Sequence, residues 1–247
     1  MTKQIIRVVD LHKSFNNLEV LCGINLSIEK GKTTVILGGS GVGKTVFIKH
    51  LIGLMKPDRG SIYVDDVDIT RLREKKLAEI RKKFGMLFQE SALFDSLTVG
   101  ENVGFPIKEH TKLSTEAIDK IVREKLEQVG LQGIEDKYPS ELSGGMKRRV
   151  GLARAMALNP EILLFDEPTT GLDPIRKNII NDLIINTQRR GGLTCVAITH
   201  DITTTFQIAH RVAMVHEGII VEEGLTEEFK NSSNPIVQAF LAGKPGE

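Results

Sequence analysis

The sequence is poor in cysteine, in long apolar runs and in net charge, and each shortage removes a class of protein. Of 247 residues only two are cysteines, Cys22 and Cys195. They are unclustered, and Cys195 lies in the apolar stretch LTCVAIT. Both therefore read as small buried hydrophobes in a reducing compartment, not as a disulfide or a metal pair. No apolar run reaches the roughly 18 residues of a membrane-spanning helix. Stretches such as Ile162–Phe165 and Val196–Ile198 have strand length. The opening MTKQIIRVVD has no apolar core region and no cleavage site, so no secretory signal is expected, and membrane contact would come through partners. A formal net charge of +1, from 33 basic and 32 acidic residues, gives no global basic field. Composition thus argues against a nucleic-acid partner. No internal repeat or low-complexity segment is visible. What is present is 40% hydrophobic residues, enough for a sizeable core, over a length that suits one large domain with a built-in subdomain.

The first 30 residues alternate apolar and polar side chains, in IIRVVDL and INLSIEK, which predicts antiparallel strands with Phe15 in the loop between them. Thr33–Leu37 predicts a short apolar strand that runs into a glycine turn and then a helix. An edge strand is expected over 60–69, a highly charged helix over 71–83 and a buried strand over 84–89. From about Thr98 to Tyr138 the pattern turns helical, with Ile118, Ile121, Val122, Leu126 and Val129 at helical spacing and with Pro106 and Pro139 as punctuation. A helix from LSGGM to about Leu158, strand EILLFD, a helix over 174–190 closed by Gly191-Gly192, and strands LTCVAIT and RVAMVHEG follow. The alternation implies an α/β fold with a largely parallel sheet covered on both faces. Gly243 to Glu247 are expected to fray.

Two motifs carry the chemistry. GGSGVGKT at 38–45 matches the phosphate-binding pattern GxxxxGK[ST], with the required strand before it and helix after it. Gly38, Gly41 and Gly43 free the backbone amides to turn around phosphate oxygens, and the helix N-terminus adds its positive dipole end. Gly39, Ser40 and Val42 complete the loop. Lys44 would reach the β- and γ-phosphates, and Thr45 would offer a hydroxyl to Mg²⁺. EILLFD delivers Asp166 and Glu167 to a strand end, where ligands sit in open α/β sheets. Asp166 would hold Mg²⁺ through water, and Glu167 would act as general base on the attacking water. His200 ends another apolar strand beside Asp201 and reads as a phosphate contact; the histidines at 12, 50, 110, 210 and 216 read as structural. Gln89 follows FGMLF, where its amide could bind metal or water. The second motif, LSGGM at 142–146, opens a helix. Ser143 is a good N-cap, and Gly144 and Gly145 permit close approach to an anion. One nucleotide with two phosphate devices fits a head-to-tail pair of chains, each signature covering the other's phosphates.

In these motifs and their order, GGSGVGKT, Gln89, LSGGM, ILLFDE, GLD at 171–173 and His200, the chain resembles the ATP-binding cassette (ABC) ATPases over nearly its whole length. The resemblance implies a P-loop fold as a single domain over 1–247. A RecA-like core with an antiparallel β part would span 1–97 and 139–225, with a helical insertion over 98–138 and a helical tail over 226–247. It also implies a sandwich homodimer holding two ATPs with Mg²⁺, with Phe15 stacking on adenine and Asp173 coupling the two sites. The insertion and the loop after Gln89 would grip an integral membrane permease. The stretches MLFQESALFDSLTVGENVGFPI and ELSGGMKRRVGLARAMALNPEILLFDEPTTGLDPI, with Met146-Lys147-Arg148-Arg149 and the tail NPIVQAFLAG, look like the Mla-type (MCE-associated) branch. That branch implies phospholipid movement from the cytoplasmic face of a bacterial inner membrane. Its further partners would be an MCE-domain substrate-binding protein and a small regulatory subunit.

Val46 stands where the family often has a Ser or Thr that contacts the α-phosphate, and losing such a bond costs on the order of 1–3 kcal/mol. Val42 replaces a frequent Ser but keeps its backbone amide. The basic run Arg71, Arg73, Lys75, Lys76, Arg81, Lys82 and Lys83, diluted by Glu74 and Glu79, reads as a solvated face in preference to a contact with anionic lipid headgroups, because it lacks an apolar membrane-facing stripe. Some of Lys147 to Arg149 are expected to neutralise nucleotide or dimer-interface charge. Another ABC importer or exporter remains an alternative, as does a non-transport ABC ATPase, although a single cassette without a long heptad insertion or basic extension argues against the latter.

Overall fold

Two sheets share the strands of the computed structural model, which describes residues 3–244. Residues 245–247 of the tail expected to fray lie outside the described residues. The strands are β1 (Gln4–Phe15), β2 (Leu18–Glu29), β3 (Thr33–Leu37), β4 (Arg59–Val64), β5 (Val67–Asp68), β6 (Phe84–Leu87), β7 (Ile162–Asp166), β8 (Thr194–Thr199), β9 (Arg211–His216) and β10 (Ile219–Leu225). The helices are α1 (Lys44–Leu51), α2 (Glu74–Arg81), α3 (Val99–His110), α4 (Thr115–Gln128), α5 (Gly144–Ala155), α6 (Pro174–Gly191), α7 (Ile202–Ile208), α8 (Thr226–Lys230) and α9 (Pro235–Leu241). The N-terminal sheet is antiparallel in the order β2-β1-β4-β5, and the larger sheet runs β10-β9-β3-β8-β7-β6. In the larger sheet β9, β3, β8, β7 and β6 pair in parallel, and β10 closes one edge antiparallel to β9.

Strands β3, β7 and β8 are buried at every position, because helices or the second sheet cover both faces. The period of two divides them between two cores. Ile36, Ile162, Leu164, Val196 and Ile198 pack with α1 and the antiparallel sheet, whereas Val35, Leu163, Phe165, Cys195 and Ala197 pack with side chains of α3 to α6. Leu37 pairs with Thr199 and Asp166 with Ile198, so the three neighbouring strands end level. The loop after β3, the turn after β7 and the residue after β8 therefore meet at one sheet edge.

Several local expectations are corrected. Phe15 is not in a loop but ends β1, opposite Leu18. The segment 60–69 is not one strand: β4 lies between β1 and β5, and only the two-residue β5 forms the edge. Conversely, β6 is the edge of its sheet and only alternate residues are buried. Pro106 does not break the helix but sits inside α3. The charged helix is shorter than 71–83, because Ile69–Arg71 forms a separate 3-10 turn capped by Asp68. Gly192 ends α6 with φ of 57°, in the left-handed region that glycine enters without a side-chain clash.

Candidate active site

The site begins where β3 hands over to α1. Gly43 occupies the helix N-cap at φ of 95°, and a Cβ there would lie 2.9 Å from the Val20 carbonyl oxygen. Only glycine fits both the torsion and the press of β2 against the loop. Lys44, 6% exposed, turns its Nζ back to donate to the carbonyls of Gly38 at 2.8 Å and Gly39 at 2.7 Å. The same ammonium lies 3.5 Å from Glu167 Oε1. Burial pulls the Lys44 pKa down, while Glu167 and Asp166 oppose that shift.

Glu167 follows β7 with φ of 48°, a left-handed torsion uncommon for a side chain of its size. Its carboxylate accepts from Thr170 Oγ1 at 3.0 Å and Thr199 Oγ1 at 3.2 Å, and His200 Nδ1 lies 3.0 Å from Oε1. Burial pushes the pKa up, but the His200 contact, the Lys44 charge and the Thr170 bond together hold it below the usual carboxylate range. A group held in this way is ionised at neutral pH and can accept a proton. Asp166 differs: burial dominates and raises its pKa, with the Thr45 bond and the charges of Lys49 and Lys44 only partly offsetting it. Thr45 Oγ1 lies 3.3 Å from Asp166 Oδ1. A buried carboxylate without a full counter-charge, next to a hydroxyl, suits a cation.

A cavity of about 470 Å³ unites Ser40, Gly41, Gly43, Lys44, Thr45, Val46, Gln89, Glu167 and His200, with Val20 and Thr170 completing its wall. Gly38, Gly39, Val42 and Asp166 adjoin the cavity through the loop itself, Lys44 and Thr45, whereas Phe15, Ser143, Gly144, Gly145 and Asp173 do not line it. Phe15 stands at the hairpin end, 40% exposed, with Lys13 Nζ 5.4 Å from the ring centroid. Ser143 caps α5 by accepting from the Met146 amide at 3.3 Å. Gly144 and Gly145 have no positive φ, and a Cβ on either would meet nothing closer than 3.8 Å. Asp173 caps α6, accepting from the Arg176 amide at 3.0 Å.

Val20, Thr170 and Thr199 are site residues that sequence reasoning missed. They are neutral, and only the folded sheet edge brings them to Glu167 and the loop. Of Lys147 to Arg149, two are engaged within the chain. Arg148 turns inward to the carbonyls of Gln89 and Thr170, and Arg149 to those of Val129 and Gly130. In the basic run, Arg81 pairs with Glu74, Lys82 with Glu79 and Lys83 with Asp65. Among the described residues, no helix is long and apolar enough to cross a membrane, and no cluster of three or more His, Cys, Asp or Glu could hold a metal.

Comparison with known proteins agrees with this geometry. Residues 21–170 match the family model described as ABC transporter. The probable ribonucleotide transport ATP-binding protein mkl of Mycobacterium leprae is 43% identical over 97% of this chain and 69% of its own length. The intermembrane phospholipid transport system ATP-binding protein MlaF of Haemophilus influenzae is 41% identical over 99% of this chain and 92% of its own. Among solved structures, a dimeric ATP-binding cassette bound to ADP and Pi superposes with a TM-score of 0.82 at 31% identity, over 90% of this chain and 98% of that one. The chain belongs to the ABC transporter family, as one of its ATP-hydrolysing cassettes.

Proposed function

We propose that this chain is the ATPase subunit that energises phospholipid transport by a bacterial membrane complex. The observation that carries the hydrolytic part is Glu167: an ionised carboxylate fixed by Thr170, Thr199 and His200 at the wall of a cleft that also holds Lys44. In this reading Glu167 takes the proton of the attacking water, Lys44 leaves the loop carbonyls for the β- and γ-phosphates, and His200 contacts the γ-phosphate. The backbone from Gly38 to Val46 cradles the phosphates, and Phe15 stacks on adenine. Thr45, Asp166 and Gln89 would hold Mg²⁺. The donor set suits that ion, which uses one or two carboxylates and otherwise keeps water and phosphate oxygens. When bound it neutralises phosphate charge.

Gly144 and Gly145 support a second copy. Both glycines lie in the first turn of α5, and among the described residues nothing requires glycine at either position, since neither has a positive φ and a Cβ would meet nothing closer than 3.8 Å. A phosphate of the other chain, approached by Ser143 and these glycines, supplies the missing reason, and Asp173 would couple the two sites. A groove of about 670 Å³ lined by Phe88, Phe94, Phe105 and Pro106 suits a cytoplasmic helix of a permease; Phe94 and Phe105 are exposed. In this reading the pair works at the cytoplasmic face of the inner membrane, with an MCE-domain protein and a small regulatory subunit as further partners.

The near full-length match to MlaF supports a phospholipid cargo; the name of the mkl relative favours a ribonucleotide instead. Affinity purification from native membranes, with identification of co-purifying subunits and small molecules, separates them. A permease that carries phospholipid is expected. Recovery without a permease, or with ribonucleotide in place of lipid, would overturn the reading.

A further inference from the structure

We infer that Arg148 is a positioning residue for hydrolysis, tying the helix that begins at LSGGM to Glu167 through Thr170, and to the Gln89 segment, within one chain. This deepens the hydrolytic reading of Glu167 and rests on it. Arg148 lies in the second turn of α5. Its Nη2 donates to the Thr170 carbonyl and, at 3.4 Å, to that of Gln89. Thr170 is held at its other end by the active site: its hydroxyl donates to Glu167 Oε2 at 3.0 Å, and its amide to the Glu167 carbonyl at 3.3 Å. Gln89, Thr170 and Glu167 line the same cleft. One planar guanidinium thus fixes two walls of the site from a helix that does not line it.

Two features argue against a merely structural arginine. Among the described residues no carboxylate lies in ion-pair range of Arg148, and its Nη1 is buried without an acceptor. A half-buried cation without a counter-charge and with a buried, unused donor is costly, so a purely structural role gives little reason for arginine here. Glu167 also holds a left-handed torsion at φ of 48°, a conformation that persists only where its surroundings over-determine it. Arg148 supplies part of that restraint through Thr170. The consequence is directional: a shift of α5 when a second copy presses on Ser143 to Gly145 moves the Thr170 carbonyl, and with it the hydroxyl that orients Oε2. Arg149 serves as the comparator. It sits on the same helix and also binds carbonyls, of Val129 at 3.4 Å and Gly130 at 3.1 Å, but none of the cleft.

Steady-state ATP hydrolysis by the full chain tests this, with Tm as the folding check. Arg148→Lys keeps the charge but loses the fork; it should lower kcat about tenfold and change KM for ATP by less than about twofold. Thr170→Val should do the same, and Thr170→Ser should restore most of the loss. The double variant Arg148→Lys/Thr170→Val should be no slower than the slower single variant, because both cut one chain of contacts. Arg149→Lys should keep kcat. Wild-type kcat in Arg148→Lys, an effect on KM alone, or losses that multiply in the double variant would each overturn the inference. Should Arg148→Lys fail to fold, Arg148→Gln is read by the same ratios. Equal turnover by wild type and Glu167→Gln would sink the hydrolytic reading as well, whereas a Glu167-dependent enzyme indifferent to Arg148 sinks this inference alone.

Discussion

Glu167 and Asp166 are adjacent carboxylates with opposite environments, and the difference assigns their work. Glu167 is held ionised by its donors. Glu167→Gln should keep ATP binding, measured by nucleotide fluorescence titration, while turnover falls by at least about a hundredfold, at the lower end of what a general base supplies. Asp166 has its pKa raised by burial. Its folded pKa then exceeds the unfolded one, so stability is lost as pH rises from the unfolded value through the folded one. In thermal melts without Mg²⁺, Asp166→Asn should therefore raise Tm at pH 7. The gain should vanish near pH 3, where both states are protonated. The same variant should lose Mg²⁺-dependent turnover. Phe15, at the open end of β1, tests recognition of the base. Stacking on a base is worth about 1–3 kcal/mol, so Phe15→Ala should weaken ATP roughly tenfold and leave saturated turnover nearly intact; unchanged affinity would remove Phe15 from the site.

Among the elements, β6 carries the Gln89 segment and is placed by its contact with α5. A Cβ on Gly85 would fall 2.1 Å from the Ala155 carbonyl oxygen. Gly85→Ala should therefore lower stability by about 1–3 kcal/mol or more, seen as a fall in Tm, with a loss of turnover as β6 shifts. The apolar runs of β3, β7 and β8 made these strands legible, because a strand buried on both faces has no polar side to blur it. Asp166, Glu167 and His200 were legible for the same reason, since each stands at or just beyond such a run, whereas Lys44 and Thr45 were legible from the glycine-loop motif. Elements set by tertiary context were not. ITTTFQI is rich in β-branched residues, yet it forms α7 because Asp201 caps it at the Thr204 amide. Pro106 fits inside α3, one turn after Asn102, whose buried side-chain amide donates to the carbonyls of Phe94, Leu97 and Thr98. Thr170 and Thr199 carry no periodic signal and are revealed only by the level ends of neighbouring strands, and Arg148 on α5 only by its bonds to the Thr170 and Gln89 carbonyls.

At the scale of the whole molecule, LSGGM does not line the cavity that the loop at 38–45 lines, and on the proposed reading a second copy would supply it. Glu167→Gln with ATP and Mg²⁺ should move the chain from monomer to dimer in light scattering, and adding Ser143→Arg should abolish that shift. Dimerisation that ignores Ser143 would count against the paired arrangement. One feature of the single chain bears on how such a pair recycles. Lys44 is not left stranded before nucleotide arrives, since Gly38 and Gly39 take two of its three donors and Glu167 faces it. On the proposed reading, incoming ATP would displace these ready-made competitors, and departing ADP would hand the ammonium back to them. The loop thus acts as its own stand-in for phosphate, which tempers affinity at the start of a cycle and eases release at its end.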